Sequence, residues 1–320
     1  MKLLKKLLPA VTVAAAFASS GAVHASTVAA ADLNIFSIGL VDTLGNPLTT
    51  STGSIAITSE SRTGTSDSSY NGVAGTGTGL GSITSTSVGA TVDVKNRCAG
   101  DCGAGTLALY GSILENNTTT HLASPGTQNF ALGDMFISGT ALGGSITGLT
   151  RADSMSASSN NVGGSNSTIK NAAQIVGTFT ALAGFTGSIA IAADWYLKAF
   201  VDTILPTKGS ADVGMGWNMT ITSTDDLTFS KLTFAPTDLN QSSFATNLAE
   251  STVNQDNNSI AGIGQLYTSD TRTFLTGNRY NFSINQSSNA AISEIPEPAS
   301  LALVGLCLVV AGVARRKIVS

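Results

Sequence analysis

The sequence predicts a mainly β fold, a β-sandwich of jelly-roll or immunoglobulin-like type with one short surface helix. Three observations point there. Ser, Thr, Gly, Asn and Ala dominate the 320 residues while only 11% are charged, so Lys and Glu, which favour exposed helices, are scarce. Short runs rich in Thr, Val and Ile alternate apolar with polar positions, as half-buried strands do. Gly- and Asn-containing breaks separate these runs at turn-like intervals. A polar, low-complexity chain is also compatible with disorder, but its low net charge per residue and recurrent apolar pairs favour a folded domain.

Taken in order, residues 1–25 have the parts of a secretory signal. Lys2, Lys5 and Lys6 form a positive region, Leu7 to Phe17 an apolar one, and Val23-His24-Ala25 a cleavage site that ends at Ala25. The β domain is expected over 26–284. Its first strand holds Leu33, Ile35, Phe36, Ile38 and Leu40 and closes at the turn Gly45-Asn46-Pro47. Ser54 to Thr58, Thr91 to Lys95, Gly177 to Leu182 and Ser188 to Ala192 follow as strands. Trp217, Met219 and Ile221 share one face of another, and Tyr280, Phe282 and Ile284 make the last before a polar linker over 285–295. Ser59 to Gly81 and Ser154 to Ser167, rich in Ser, Gly, Thr and Asn, are expected to be long loops. Asp194 is placed to cap a short amphipathic helix with Leu197, Phe200, Val201 and Ile204 on one face, stopped by Pro206.

The triplet Gly-Ser-Ile begins at Gly53, Gly81, Gly111, Gly144 and Gly187. The first four lie about thirty residues apart, a period compatible with a β-solenoid. The flanking sequence does not repeat, which favours Gly leaving a turn and Ser-Ile starting a strand in successive hairpins.

Chemistry-bearing residues are few. His121 is the lone histidine after the signal, whereas a histidine-based zinc site needs at least two. Ser124 lies three residues on but lacks a nucleophile-elbow context, so no catalytic residue is assigned. Cys98 and Cys102 flank turn formers, and an exported protein favours a disulfide there over a metal or redox pair. Asp225-Asp226 reads as a turn rather than a pair of catalytic acids. Asp256, with Asn254, Asn257 and Asn258, supplies oxygen ligands that suit calcium, but without the Asp-x-Asp-x-Asp-Gly spacing; no cofactor and no metal site is assigned. Trp195 and Trp217 are expected in the core; on an exposed sheet face they would instead form a sugar-stacking platform.

The net charge of −4 conceals an asymmetry. Three basic residues sit in the signal and three in the tail, which leaves about ten basic against about twenty acidic residues in the body. An acidic body argues against a nucleic-acid or anionic-membrane partner.

The C-terminus carries the most specific signal. Pro296, Glu297 and Pro298 precede an apolar run from Leu301 to Ala314, followed by Arg315, Arg316 and Lys317. The prolines impose an extended, accessible backbone. A helix from about Ala299 would reach roughly 24 Å at 1.5 Å per residue. That is short of a bilayer core of about 30 Å. The basic cluster nevertheless favours membrane insertion over a buried helix, with the basic end in the cytoplasm. The arrangement over 296–320 resembles the PEP-CTERM sorting signal of Gram-negative bacteria. The resemblance implies a substrate of an exosortase, a membrane cysteine protease-like enzyme that cuts near Pro296-Glu297-Pro298, with Arg315 and Arg316 as the basic end. It also implies passage through the inner membrane to the cell surface or extracellular matrix, beside exopolysaccharide. These features make a non-enzymatic surface or matrix protein the leading expectation, with a carbohydrate-binding module and a secreted hydrolase as alternatives.

Overall fold

A computed structural model describes residues 27–76, 81–103, 116, 128–156, 166–201, 208–246 and 264–295. These residues form sixteen strands and one 3-10 turn, Thr237–Leu239. The strands are β1 (Thr27–Asp42), β2 (Pro47–Leu48), β3 (Ile55–Tyr70), β4 (Val73–Ala74), β5 (Ser82–Ser85), β6 (Val92–Gly100), β7 (Phe130–Ser138) and β8 (Thr147–Ser156). They continue as β9 (Asn166–Ala181), β10 (Phe185–Val201), β11 (Lys208–Ser223), β12 (Leu232–Phe234), β13 (Ser242–Thr246), β14 (Gln265–Thr268), β15 (Arg272–Phe274) and β16 (Arg279–Ile295).

Two antiparallel sheets pack face to face. The first runs β14-β10-β1-β8-β7-β6, with β15 also on β10 and β2 on β1. The second runs β12-β11-β16-β9-β3-β4, with β13 also on β11 and β5 on β3. The alternation that marks half-buried strands holds where the core is apolar. In β11, Ala211, Val213, Met215, Trp217, Met219 and Ile221 point inward, while Asn218, Thr220 and Thr222 point out. Trp195 and Trp217 are core residues, 4% and 0% exposed. Phe179, Phe274, Tyr280 and Phe282 fill one end of the same core, with ring centroids 5.0–6.4 Å apart.

Two β-bulges reset the inward face. In β1 the pairing shifts between Ile35 and Ser37, so Leu33 and Ile35 point inward before it and Ile38 and Leu40 after it. In β3 the shift falls between Ile57 and Ser59 and turns Glu60 and Arg62 inward. The Gly-Ser-Ile triplets follow the hairpin reading at Gly53, Gly81 and Gly144, each just ahead of β3, β5 or β8; the triplet at Gly187 lies inside β10, and that at Gly111 lies outside the described residues.

Three expected elements differ. The stretch read as a surface helix is the end of strand β10. Trp195, Leu197, Ala199 and Val201 face the sandwich core, and Tyr196 is buried on the opposite side. A strand at least partly covered on its second face carries apolar residues on both, here Tyr196 and Phe200, and this run mimics helical spacing. Ile204 and Pro206 lie outside the described residues. The stretch read as a polar linker, 285–295, is the second half of β16, because its inward polar groups find partners across the sandwich. Gln286 Nε2 donates to the Leu33 carbonyl at 2.7 Å, and Ser288 Oγ donates to the Thr150 carbonyl at 2.9 Å. Ser59 to Tyr70, read as loop, belongs to β3 for a related reason, since its inward positions are Glu60, Arg62, Gly64, Ser66 and Ser68 before the core residue Tyr70.

Candidate functional site at the end of the last strand

β16 lies inside the second sheet, between β11 and β9. Its pairing with β11 persists to the end of the described chain, Gly209 opposite Glu294 and Lys208 opposite Ile295. The next residue is Pro296, which has no N–H to offer a ladder. The sheet therefore delivers the chain to the Pro-Glu-Pro triplet with no intervening linker.

The start of the body meets this end. A Cβ added to Gly209 would stand 3.2 Å from Thr27 Oγ1 and 3.7 Å from the Ser293 carbonyl oxygen. Thr27 is two residues past Ala25, so the expected signal-cleavage point and the expected processing point leave from one pole of the sandwich.

Residues 294–317 match the model of the PEP-CTERM protein-sorting motif. The chain carries an exosortase sorting signal. The motif begins two residues inside β16 and ends within the basic cluster. It marks an exported protein that an exosortase processes at the membrane. No curated protein and no solved structure matches the chain significantly. Ala25, Pro296, Glu297, Pro298, Arg315 and Arg316 lie outside the described residues, as do His121, Ser124, Asn254, Asp256, Asn257 and Asn258. No helix among the described residues is long and apolar enough to cross a membrane; the run Leu301 to Ala314 lies outside them.

The remaining expected site residues fall into structural positions. Cys98, at the edge strand β6, is disulfide-bonded to Cys102. Gly100 between them has φ +92°, and a Cβ there would fall 2.3 Å from the Asn129 carbonyl oxygen, so glycine is required at that turn. Asp225 and Asp226 shape a turn. Asp225 pairs with Arg279 at 3.1 Å, and that hydrogen bond holds its carboxyl below its ordinary range. Asp226 accepts from the Thr228 hydroxyl and backbone N–H, which likewise lowers its pKa.

Two buried charged groups escape a sequence reading. On the face of the first sheet turned away from the sandwich core, Asp32, Arg151 and Asp134 stand opposite one another on β1, β8 and β7. Arg151 Nε lies 2.7 Å from Asp153 Oδ2 and 3.6 Å from Asp32 Oδ1. Burial works to lower the Arg151 pKa, but Asp153 and Asp32 outweigh it and hold the guanidinium charged. Between the sheets, Glu60 and Arg62 form a second buried pair at 2.7 Å. Among the described residues, no group of three or more His, Cys, Asp and Glu side chains is arranged to hold a metal ion.

Proposed function

We propose that the chain is a non-enzymatic surface or extracellular-matrix protein, delivered by an exosortase-type enzyme and held beside exopolysaccharide. The observation that carries this reading is the sorting motif at 294–317, which follows without a spacer on a strand of a two-sheet body. The route begins with the N-terminal signal, cut after Ala25, and passes through transient anchoring by Leu301 to Ala314 in the inner membrane. The processing enzyme then reads Pro296-Glu297-Pro298 and releases the β body to the cell surface or matrix.

Cell fractionation with intact-mass analysis of the mature protein tests the route. A mature chain that starts at Ser26 and ends near Pro298, recovered from the surface or matrix fraction, is the expected result. A mature chain that retains Leu301 to Ser320 would leave a plain membrane anchor and overturn the processing step. In the carbohydrate-binding alternative, sugar rings cannot stack on Trp195 or Trp217, because both are buried. Any glycan contact must use another surface.

A further inference from the structure

We propose that the exposed face of the second sheet binds a neutral polysaccharide chain. This inference rests on the matrix reading above and assigns that reading a contact surface.

Four central strands, β3, β9, β16 and β11, present four consecutive rows on this face. The rows are Ser59-Thr178-Asn281-Thr222, Ser61-Val176-Ser283-Thr220, Thr63-Gln174-Asn285-Asn218 and Thr65-Ala172-Ser287-Gly216. None of these residues is buried, and none is charged. Exposed sheet surfaces ordinarily carry charges, Lys above all, that resist association. Here hydroxyls and amides take their place.

The third row is also pre-oriented. Gln174 Nε2 donates to Asn285 Oδ1 at 3.0 Å, and Asn285 Nδ2 donates to Asn218 Oδ1 at 3.1 Å. Three amides are thereby aligned across three strands at a spacing of about 4.8 Å. Each primary amide offers two donors and two acceptor lone pairs, so the row keeps unspent hydrogen-bonding capacity. Their alignment lowers the ordering cost of binding.

Shallow depressions flank this row. One, of about 350 Å³, is lined by Ala172, Gly216 and the amides themselves. The other, of about 600 Å³, is lined by Val176, Gly177 and neighbouring Thr and Ser hydroxyls, with Glu60, its side chain buried and paired with Arg62, beneath them. Val176 is 39% exposed and supplies an apolar spot for the carbon face of a sugar ring. The combination suits a polymer whose hydroxyls donate and accept along its length. Acidic polysaccharide and nucleic acid need cations, and these sixteen positions hold none.

Affinity electrophoresis of the detergent-solubilised full chain provides the test, with hydroxyethyl cellulose, dextran or alginate cast in the gel. The expected result is retardation by a neutral polymer and none by alginate. The variant Gln174→Ala/Asn218→Ala/Asn285→Ala should lose at least tenfold in apparent affinity with an unchanged melting temperature. Asn285→Lys, which sets a charge in the middle of the row, should lose binding as well. Retention by alginate alone, no retention by either neutral polymer, equal retention of the triple variant, or self-association that the triple variant abolishes would each overturn the assignment. A surface-recovered, correctly processed chain that binds no polymer defeats this inference and leaves the sorting reading standing; a chain that is never exported defeats the sorting reading whatever it binds.

Discussion

The Glu60–Arg62 pair fastens the two sheets together, and its disruption has a calculable consequence. Both side chains are fully buried. Glu60 accepts from Arg62 Nη2 at 2.7 Å, from the Gly89 N–H at 2.8 Å and from the Ala141 N–H at 3.3 Å. Arg62 also donates to the carbonyls of Ala90 and Gly139. One residue pair on β3 of the second sheet thus grips the β7–β8 connection of the first sheet and the β5–β6 crossover that joins the two sheets. Glu60→Ala leaves a guanidinium buried without its counter-charge, at a cost of about 3–5 kcal/mol. It also orphans two backbone N–H groups, at up to about 1–3 kcal/mol for each that water cannot reach. The uncompensated charge alone, at about 4 kcal/mol, is a large part of an ordinary domain stability of about 5–15 kcal/mol. Urea unfolding followed by fluorescence of the buried Trp195 and Trp217 reads it as a lower midpoint at constant slope. The double variant Glu60→Leu/Arg62→Met removes both charges and should recover most of the loss. A Glu60→Ala penalty below about 1 kcal/mol, or a double variant no better than the single, would refute the view that an uncompensated buried charge sets the cost.

Two further outcomes follow from the geometry. The Cys98–Cys102 bridge closes a loop between positions four apart. Cys98→Ser/Cys102→Ser should lower stability by only about 2 kcal/mol on loop-entropy grounds, measured as a drop in melting temperature with the fold retained by circular dichroism. Asp225 titrates below its ordinary value of 3.8 because Arg279 hydrogen-bonds its carboxylate. A depressed folded-state pKa adds stability that is present above the unfolded value and lost as pH falls through the folded one. Asp225→Asn should therefore be less stable than the native chain at neutral pH and match it once pH falls well below that value; a stability difference that persists undiminished in acid would assign the effect to packing instead.

The legible parts of the chain were those where burial and hydrophobicity coincide. Leu33, Ile55, Trp217, Tyr280 and Phe282 all point inward, and their alternation announces strands. The sorting motif was legible for another reason, since its order of Pro-Glu-Pro, apolar run and basic end is chemical and needs no fold to be seen. The misread stretches break that coincidence in opposite ways. In β3 and the end of β16 many inward positions are polar, Glu60, Arg62, Ser66, Ser68, Gln286 and Ser288 among them, so buried strands look like loop and linker although Tyr70, Ala290 and Ile292 also face the core. In β10 the outward face is partly covered too, with Tyr196 buried and Phe200 half-buried there, and these extra apolar residues imitate a helix. The row Gln174-Asn285-Asn218 was invisible because three residues far apart in sequence become neighbours only through sheet register.

The absence of a spacer constrains how the sorting signal is read. Leu301 lies six positions past Ile295, a reach of at most roughly 20 Å even when fully extended. With Leu301 to Ala314 anchored as proposed, the sandwich must sit close above the membrane while the processing enzyme works at Pro296-Glu297-Pro298. Lengthening that gap would require β16 to release its end from β11, beginning at the pair Lys208 and Ile295. Moving the cut into the body would require β16 to leave the middle of the sheet, where β9 and β11 hold it on both sides. The cheap place to cut is the short stretch just past the strand, where Pro296 and Pro298 have no N–H to give a ladder. Because Thr27 lies at the same pole, the signal-peptide end is drawn to the same side. The turns at the far ends of β1 and β9, which carry the exposed Leu44 and Leu182, then face away from the membrane. The fold thus supplies the orientation that the tail alone does not specify.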